Sequence, residues 1–131
     1  KIIDPDCPIG FVSNDLDLYS STRSALKLLT NCDVSLLLPR VSMYFDDVWR
    51  KEGYNRYCGE LLAIDESNQA NSTRKIDIDR YADYWHQKHI PWHRGMYVLE
   101  ALDHPSRLKQ ATPRGIAPPP YKKGKGLLTF P

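Results

Sequence analysis

The chain contains no apolar run near the roughly 20 residues needed to span a bilayer, and its beginning, Lys1-Ile2-Ile3-Asp4-Pro5-Asp6, lacks the apolar core of a signal peptide. Both absences lead to the expectation of a cytoplasmic protein with no membrane partner. Cysteine is scarce. Cys7, Cys32 and Cys58 are odd in number and widely spaced, which excludes a fully paired disulfide framework and any zinc-binding spacing and leaves reduced, structural thiols. No internal repeat is present, so solenoids and propellers are excluded. Gly10 stands alone inside an apolar run and no glycine pair opens a helix, so the glycine-rich strand-to-helix turn that cradles a nucleotide is missing. A final absence is local: residues 105–131 hold Arg107, Lys109, Arg114, Lys122, Lys123 and Lys125 without one acid. The net charge of +2 therefore divides into a +6 tail and a body of −4, where 12 bases face 16 acids. That tail also has six of the ten prolines, among them Pro118-Pro119-Pro120, and reads as an extended or disordered segment. It lacks interleaved aromatics and any nucleic-acid motif, so nucleic acid is not the expected partner.

What is there suits one α/β domain over residues 1–104 followed by the tail at 105–131. The length of 131 residues and the 41% hydrophobic content fit a single core. Two short apolar runs, Ile9-Gly10-Phe11-Val12-Ser13 and Val41-Ser42-Met43-Tyr44-Phe45, read as strands of a parallel sheet with apolar residues on both faces. Between them, Ser20-Ser21-Thr22 offers hydroxyl caps to a helix in which Thr22, Ala25, Leu26 and Leu29 recur at helical spacing and which ends at Asn31. Asp33 to Pro39 reads as a connector with Leu36-Leu37-Leu38 buried, and the second strand is expected from about Arg40. Strand, helix, strand makes a right-handed crossover. Val48 to Cys58 has no period and reads as a loop over the strand ends. Gly59 to Asn71 reads as an amphipathic helix, Lys75 to Asp79 alternates like a half-exposed edge strand, and Met96 to Leu102 is the last strand. Lysine rather than methionine in first position leads to the expectation that the chain is a piece of something longer.

Both strand runs stop in acids: Asn14-Asp15-Leu16-Asp17 follows the first and Asp46-Asp47 the second. Parallel sheets carry their chemistry at the carboxyl ends of their strands. Two neighbouring strands ending in carboxylates would meet in one crevice, where negative charges repel unless a cation joins them. A hard ion such as Mg²⁺ takes oxygen ligands and keeps several waters, so Asp15, Asp46 and Asp47 suffice as ligands together with substrate oxygens. If strand geometry persists through Asp17, Asp15 and Asp17 point the same way, and one can bind metal while the other accepts a proton from a substrate hydroxyl. The bland alternative is that these acids cap the helices that follow. His86, His89 and His93 have metal-like spacing, but Pro91 breaks the helix that would align them, and they read as surface or loop residues. Trp49, Tyr54, Tyr57, Trp85 and Trp92 read as core and loop packing rather than a substrate wall.

On these residues the chain resembles the carboxyl-terminal half of a class I S-adenosylmethionine-dependent methyltransferase of the metal-dependent macrocin O-methyltransferase type. The likeness lies in Ile9 to Leu29, with its D-x-D-x-Y-x-S-T run, in Pro39 to Asp47, which ends in the acidic pair, and more loosely in Gly59 to Ile64 and Met96 to Pro105. The resemblance implies a partial Rossmann-like methyltransferase sheet in which the strand Met96 to Leu102 runs antiparallel and Lys75 to Asp79 lies at the outer edge. It implies Mg²⁺ held by Asp15, Asp46 and Asp47 against vicinal hydroxyls of a small-molecule acceptor, with Asp17 as the catalytic base. It implies S-adenosylmethionine as cofactor, bound by a preceding half that these residues lack. The first strand would then expose the edge where that half pairs, an edge open to homo-oligomer formation. Three other readings share the D-x-D signal: a truncated, non-catalytic methyltransferase-like interaction module, a metal-dependent phosphatase in which Asp15 is the nucleophile, and a nucleotide-sugar glycosyltransferase.

Overall fold

A computed structural model of the chain describes residues 6–49, 55–81 and 91–107. The elements are β1 (Ile9–Asn14), α1 (Tyr19–Asn31), a short 3₁₀ turn (Val34–Leu36), β2 (Leu37–Phe45), α2 (Gly59–Ala70), β3 (Arg74–Ile78), a second 3₁₀ turn (Pro91–Gly95) and β4 (Met96–Ala101). They build an α/β fold with one four-stranded mixed sheet in the order β1-β2-β4-β3. β1 and β2 are parallel, while β4 is antiparallel to both β2 and β3. This is the expected arrangement: a parallel pair joined by a crossover helix, a reversed strand beside it and a short strand at the far edge.

The core forms on one face of the sheet. In β2, Leu37, Pro39, Val41, Met43 and Phe45 are buried, whereas Leu38 and Arg40 are exposed and Ser42 and Tyr44 half-buried. Alternate side chains of a strand point to opposite faces, so one face of the sheet meets the helices and the other stays partly open. Leu26 and Leu29 of α1 and Ala63 and Ile64 of α2 pack in one cluster with Val41, Met43, Phe45, Ile76 and Leu99. The i, i+3 spacing of Leu26 and Leu29 puts them on a single stripe of α1. The expectation of apolar burial on both faces of the parallel strands is therefore corrected. Among the described residues, no helix is long and apolar enough to cross a membrane.

Two boundaries differ from the expected ones. α1 begins at Tyr19, and Leu18 caps it without any side-chain hydrogen bond. Thr22 is fully buried and its hydroxyl donates back to the Leu18 carbonyl at 3.2 Å, while Ser24 donates to the Ser20 carbonyl at 2.8 Å. Ser20, Ser21 and Thr22, expected as caps, thus lie inside the helix, where the hydroxyls of Thr22 and of Ser24 bond to carbonyls one turn back. β2 begins three residues earlier than expected and runs through Pro39. The register with β1 jumps from Ile9↔Leu37 to Phe11↔Ser42, and pairing with β4 begins only at Arg40↔Glu100. Pro39 falls in that irregularity, where its missing N–H leaves no rung unmade. Gly10 sits opposite the same break: a Cβ there would meet Leu38 Cδ1 at 2.8 Å.

Arg74 fastens one end of the sheet. Its guanidinium is buried, donates from Nε and Nη2 to the two carboxylate oxygens of Asp103 at 2.8 and 2.9 Å, and reaches the Leu29 carbonyl at 3.3 Å. It thereby ties β3, the turn after β4 and the end of α1. The Arg74 guanidinium holds the Asp103 carboxyl below the usual carboxylate range. Asn68 of α2 fastens the outer edge of β3. Its amide donates to the Ile76 carbonyl at 2.7 Å and accepts from the Ile76 N–H at 2.7 Å. The side chain occupies the position that another strand would take. Next to it, Asp77 accepts the Ile78 N–H at 2.8 Å.

Several expectations fall outside the described residues: most of the proline-rich tail, His86, His89, Trp85, Tyr54 and the middle of the loop from Val48 to Cys58. His93, expected at the surface or in a loop, lies in the turn before β4 and is buried there. Cys7 and Cys58 are unpaired but exposed, so only Cys32, which is partly buried, fits the structural thiol expected of all three. Tyr57 is exposed rather than packed, whereas Trp49 lies against the core cluster.

Candidate functional site

The last paired residues of the two parallel strands are Asn14 and Phe45, which lie in register. Asp15 and Asp46 are the next residue of each strand, so both acidic clusters leave the sheet at the same end and side by side. Asp15 is exposed, Asp46 is buried and Asp47 half-buried. Asp17 is also exposed, and its backbone has a φ of 49°, the left-handed region that Asp tolerates better than most residues. Since β1 stops at Asn14, strand geometry does not persist to Asp17, and the expectation that Asp15 and Asp17 point the same way does not apply. The kink instead turns the chain from the strand end into α1.

The structure adds a fourth carboxylate that sequence reasoning missed. Glu60, in the first turn of α2, is only 2% exposed. Its Oε2 accepts the Asp47 N–H at 3.2 Å, so the start of α2 is held against the acidic turn after β2. Burial pushes the Glu60 carboxyl up to about 7; the Asp47 N–H opposes that rise, and the charges of Asp46, Asp47 and Asp15 add to it. Its other oxygen, Oε1, is buried without a hydrogen-bond partner among the described residues, and so is Nδ2 of Asn14, itself 1% exposed. Buried polar atoms are normally satisfied, so two orphans beside one acidic cluster are unusual.

Neighbouring residues fix this end of the sheet. Gly95 passes against β2 so closely that a Cβ would clash with the Phe45 carbonyl and stand 2.8 Å from Tyr44 Cε2 and 3.2 Å from Trp49 Cδ1. Only glycine permits that approach, and it lies directly beneath the step from Phe45 to Asp46. Phe45 and Tyr97 meet edge to face, with ring centroids 5.3 Å apart and planes at 79°. Burial, and after it the charges of Asp77 and Glu60, push the Tyr97 hydroxyl up to about 12. Tyr97 therefore remains a neutral phenol beside Glu60. Cys58 and Gly59 deliver the helix: Gly59 has a φ of 57° with open space around it, a turn that brings Glu60 inward.

The oxygen-only donor set has the chemistry of a hard-cation site. Its side chains stand apart: among the described residues, no three His, Cys, Asp or Glu side chains are gathered as a group able to hold a metal ion. The charges of Asp15, Asp46 and Asp47 act on Glu60, but these side chains do not converge on one point. No protein-family model, curated protein or solved structure matches the chain.

Proposed function

We propose that the chain is the acceptor- and metal-binding half of an S-adenosylmethionine-dependent, Mg²⁺-assisted O-methyltransferase. One observation carries this reading: parallel neighbours β1 and β2 end in register, and each continues directly into a carboxylate. The reversed strand β4, between β2 and the edge strand β3, also agrees with the order that the resemblance implies. Beside these strand ends Oε1 of Glu60 is buried without a donor among the described residues, although the side chains there are not gathered to hold an ion.

In this reading Asp15, Asp46 and Asp47 would hold the ion against the vicinal hydroxyls of a small acceptor. When bound, the ion lowers the pKa of a coordinated hydroxyl. Asp17, exposed on the kink that follows, accepts the hydroxyl proton, and the rigid sheet end keeps the acceptor oxygen oriented. The described residues do not form a cofactor cradle: Gly10 is inside β1 against Leu38, and Gly59 opens α2 alone. The sulfonium cofactor therefore belongs to a companion half, which would pair along the open edge of β1, the same edge through which two copies could associate.

Calorimetric titration of the chain with Mg²⁺, followed by catechol as a vicinal-hydroxyl probe, tests this reading. Mg²⁺ should bind, catechol should bind only after Mg²⁺, and Asp46→Asn should remove both signals. Failure of the unaltered chain to bind Mg²⁺ would overturn it. The separation of the carboxylates favours a second reading, a non-catalytic methyltransferase-like module, and that result would leave it standing.

A further inference from the structure

We propose that the cleft between α2 and the β3 edge binds a small primary amine with an apolar body, its ammonium group at Asp77. The cleft has a volume of about 340 Å³, within the range of small-molecule sites. Its floor is apolar and comes from three elements: Leu61 and Ile64 of α2, Ile76 of β3 and Tyr97 of β4. Ile64 and Ile76 are 6% and 3% exposed, so a ligand there rests on the core itself. The walls are fixed in place, because the Asn68 amide of α2 donates to the Ile76 carbonyl and accepts the Ile76 N–H, both at 2.7 Å. A cleft whose walls are already fixed loses little freedom when a ligand enters. Asp15, Asp46, Asp47 and Glu60 do not line it, so this site is separate from the strand-end acids and does not rest on the metal reading.

The rim decides which ligand fits. Among its described residues two acids, Asp65 and Asp77, stand against one base, Arg56. Asp65 is answered within the chain, since both its oxygens lie 3.4 Å from Arg56 Nη2. Asp77 is held more loosely. Its Oδ1 accepts the Ile78 N–H at 2.8 Å, while its Oδ2 faces Arg80 at 3.8 Å in a pair whose side chains are 80% and 70% open to water. An ion pair that exposed is weak and gives way to a better-placed cation. The Asp77 charge also reaches into the cleft: after burial, it is the strongest influence raising the Tyr97 hydroxyl, which stays a neutral phenol on the floor. An ammonium group at Asp77 gains a charge-assisted hydrogen bond while its carbon body covers Leu61 and Ile76. An anion of the same shape meets a rim with an excess of negative charge.

Phenethylamine is the probe, and 3-phenylpropionate, similar in shape and opposite in charge, is its control. Titrated into the chain labelled with ¹³C at its isoleucine methyls, phenethylamine should move the Ile64 and Ile76 resonances saturably, and 3-phenylpropionate should bind at least about tenfold more weakly. Asp77→Asn keeps an acceptor for the Ile78 N–H and changes an exposed side chain, so it disturbs packing little; it should weaken phenethylamine binding by at least about fivefold. Asp46→Asn should leave that affinity unchanged. The absence of saturable shifts in the unaltered chain, equal affinity for the two probes, or unchanged affinity in Asp77→Asn would each overturn the proposal. A loss of phenethylamine binding in Asp46→Asn would also overturn it, by placing the amine among the strand-end acids instead.

Discussion

Where β4 ends and β3 begins, buried charge is matched: Arg74 meets Asp103 through two bonds and the Leu29 carbonyl through a third, and nearby Glu100 takes Arg40 at 2.7 Å and Arg107 at 3.4 Å. At the opposite end, where β1 and β2 finish, Glu60 is buried among three aspartates with an oxygen unanswered, and the Asn14 amide nitrogen is unanswered beside it. One sheet thus holds an end where the buried Arg74 guanidinium is satisfied, although Nη1 of Arg107 has no hydrogen bond there, and an end where Oε1 of Glu60 is not. The first end answers the buried Arg74 guanidinium within the chain; the second leaves Oε1 of Glu60 and Nδ2 of Asn14 without a hydrogen bond among the described residues.

Breaking the satisfied end should have the largest effect. Asp103→Ala strands a buried guanidinium and should lower stability by roughly 3 kcal/mol, measured from urea unfolding; the value lies low in the range for a broken buried pair because the Asp103 side chain is about a third open to water. An unchanged midpoint would show that water replaces the carboxylate freely. The pH dependence comes next, and the two ends should have opposite signs. Glu60 keeps its proton to about pH 7 when folded, against 4.5 when unfolded, so its favourable contribution is complete below 4.5 and is lost as the pH rises through 7. Without divalent ions, stability should fall across that window by on the order of 2 kcal/mol, and Glu60→Gln should flatten the fall. Asp103, with its carboxyl held below 3.8, behaves in reverse: its contribution is present above 3.8 and is lost on further acidification. A stability profile flat from pH 5 to 8 in the unaltered chain would remove the contrast.

Two smaller effects sharpen it. Asp46→Asn in metal-free buffer at pH 8 should raise stability by about 1 kcal/mol, since it relieves repulsion on Glu60; a loss instead would mean that Asp46 is structural. Arg40→Ala, which removes an exposed partner of Glu100, should cost about 0.5 kcal/mol or less, and less still at high salt.

The elements legible in the sequence were those whose signal is local. The run before Asp46, the strict alternation around Ile76 and the apolar stretch from Met96 each announce a strand; β1 and β2 read as parallel from apolar burial on both faces, and they are parallel although that burial is on one face. The position of β4 came from resemblance, since nothing in the spacing of Met96 to Leu102 says which neighbour it takes. Pro39 misled because a proline inside a strand is tolerated only where the ladder is already broken, and the break is a property of two strands together. Asp17 could not be read as a kink, because a left-handed backbone at Asp leaves no reliable mark in composition. Glu60 looked like one polar residue of an ordinary helix. Its only local hint was an acid in the first helical turn after Cys58-Gly59, which reads as favourable alignment with the helix dipole rather than as a buried carboxylate. What buries it is contact with the turn after β2, thirteen residues earlier.

The Asn68 amide has a further consequence for how many copies can join. Because it occupies the Ile76 N–H and carbonyl while Asp77 occupies the Ile78 N–H, the β3 border offers no template to an incoming strand. Among the described residues, the other edge strand of the sheet is β1. Were β1 alone to recruit a strand, the unit would have a valence of one and would close into a pair rather than extend into a fibre.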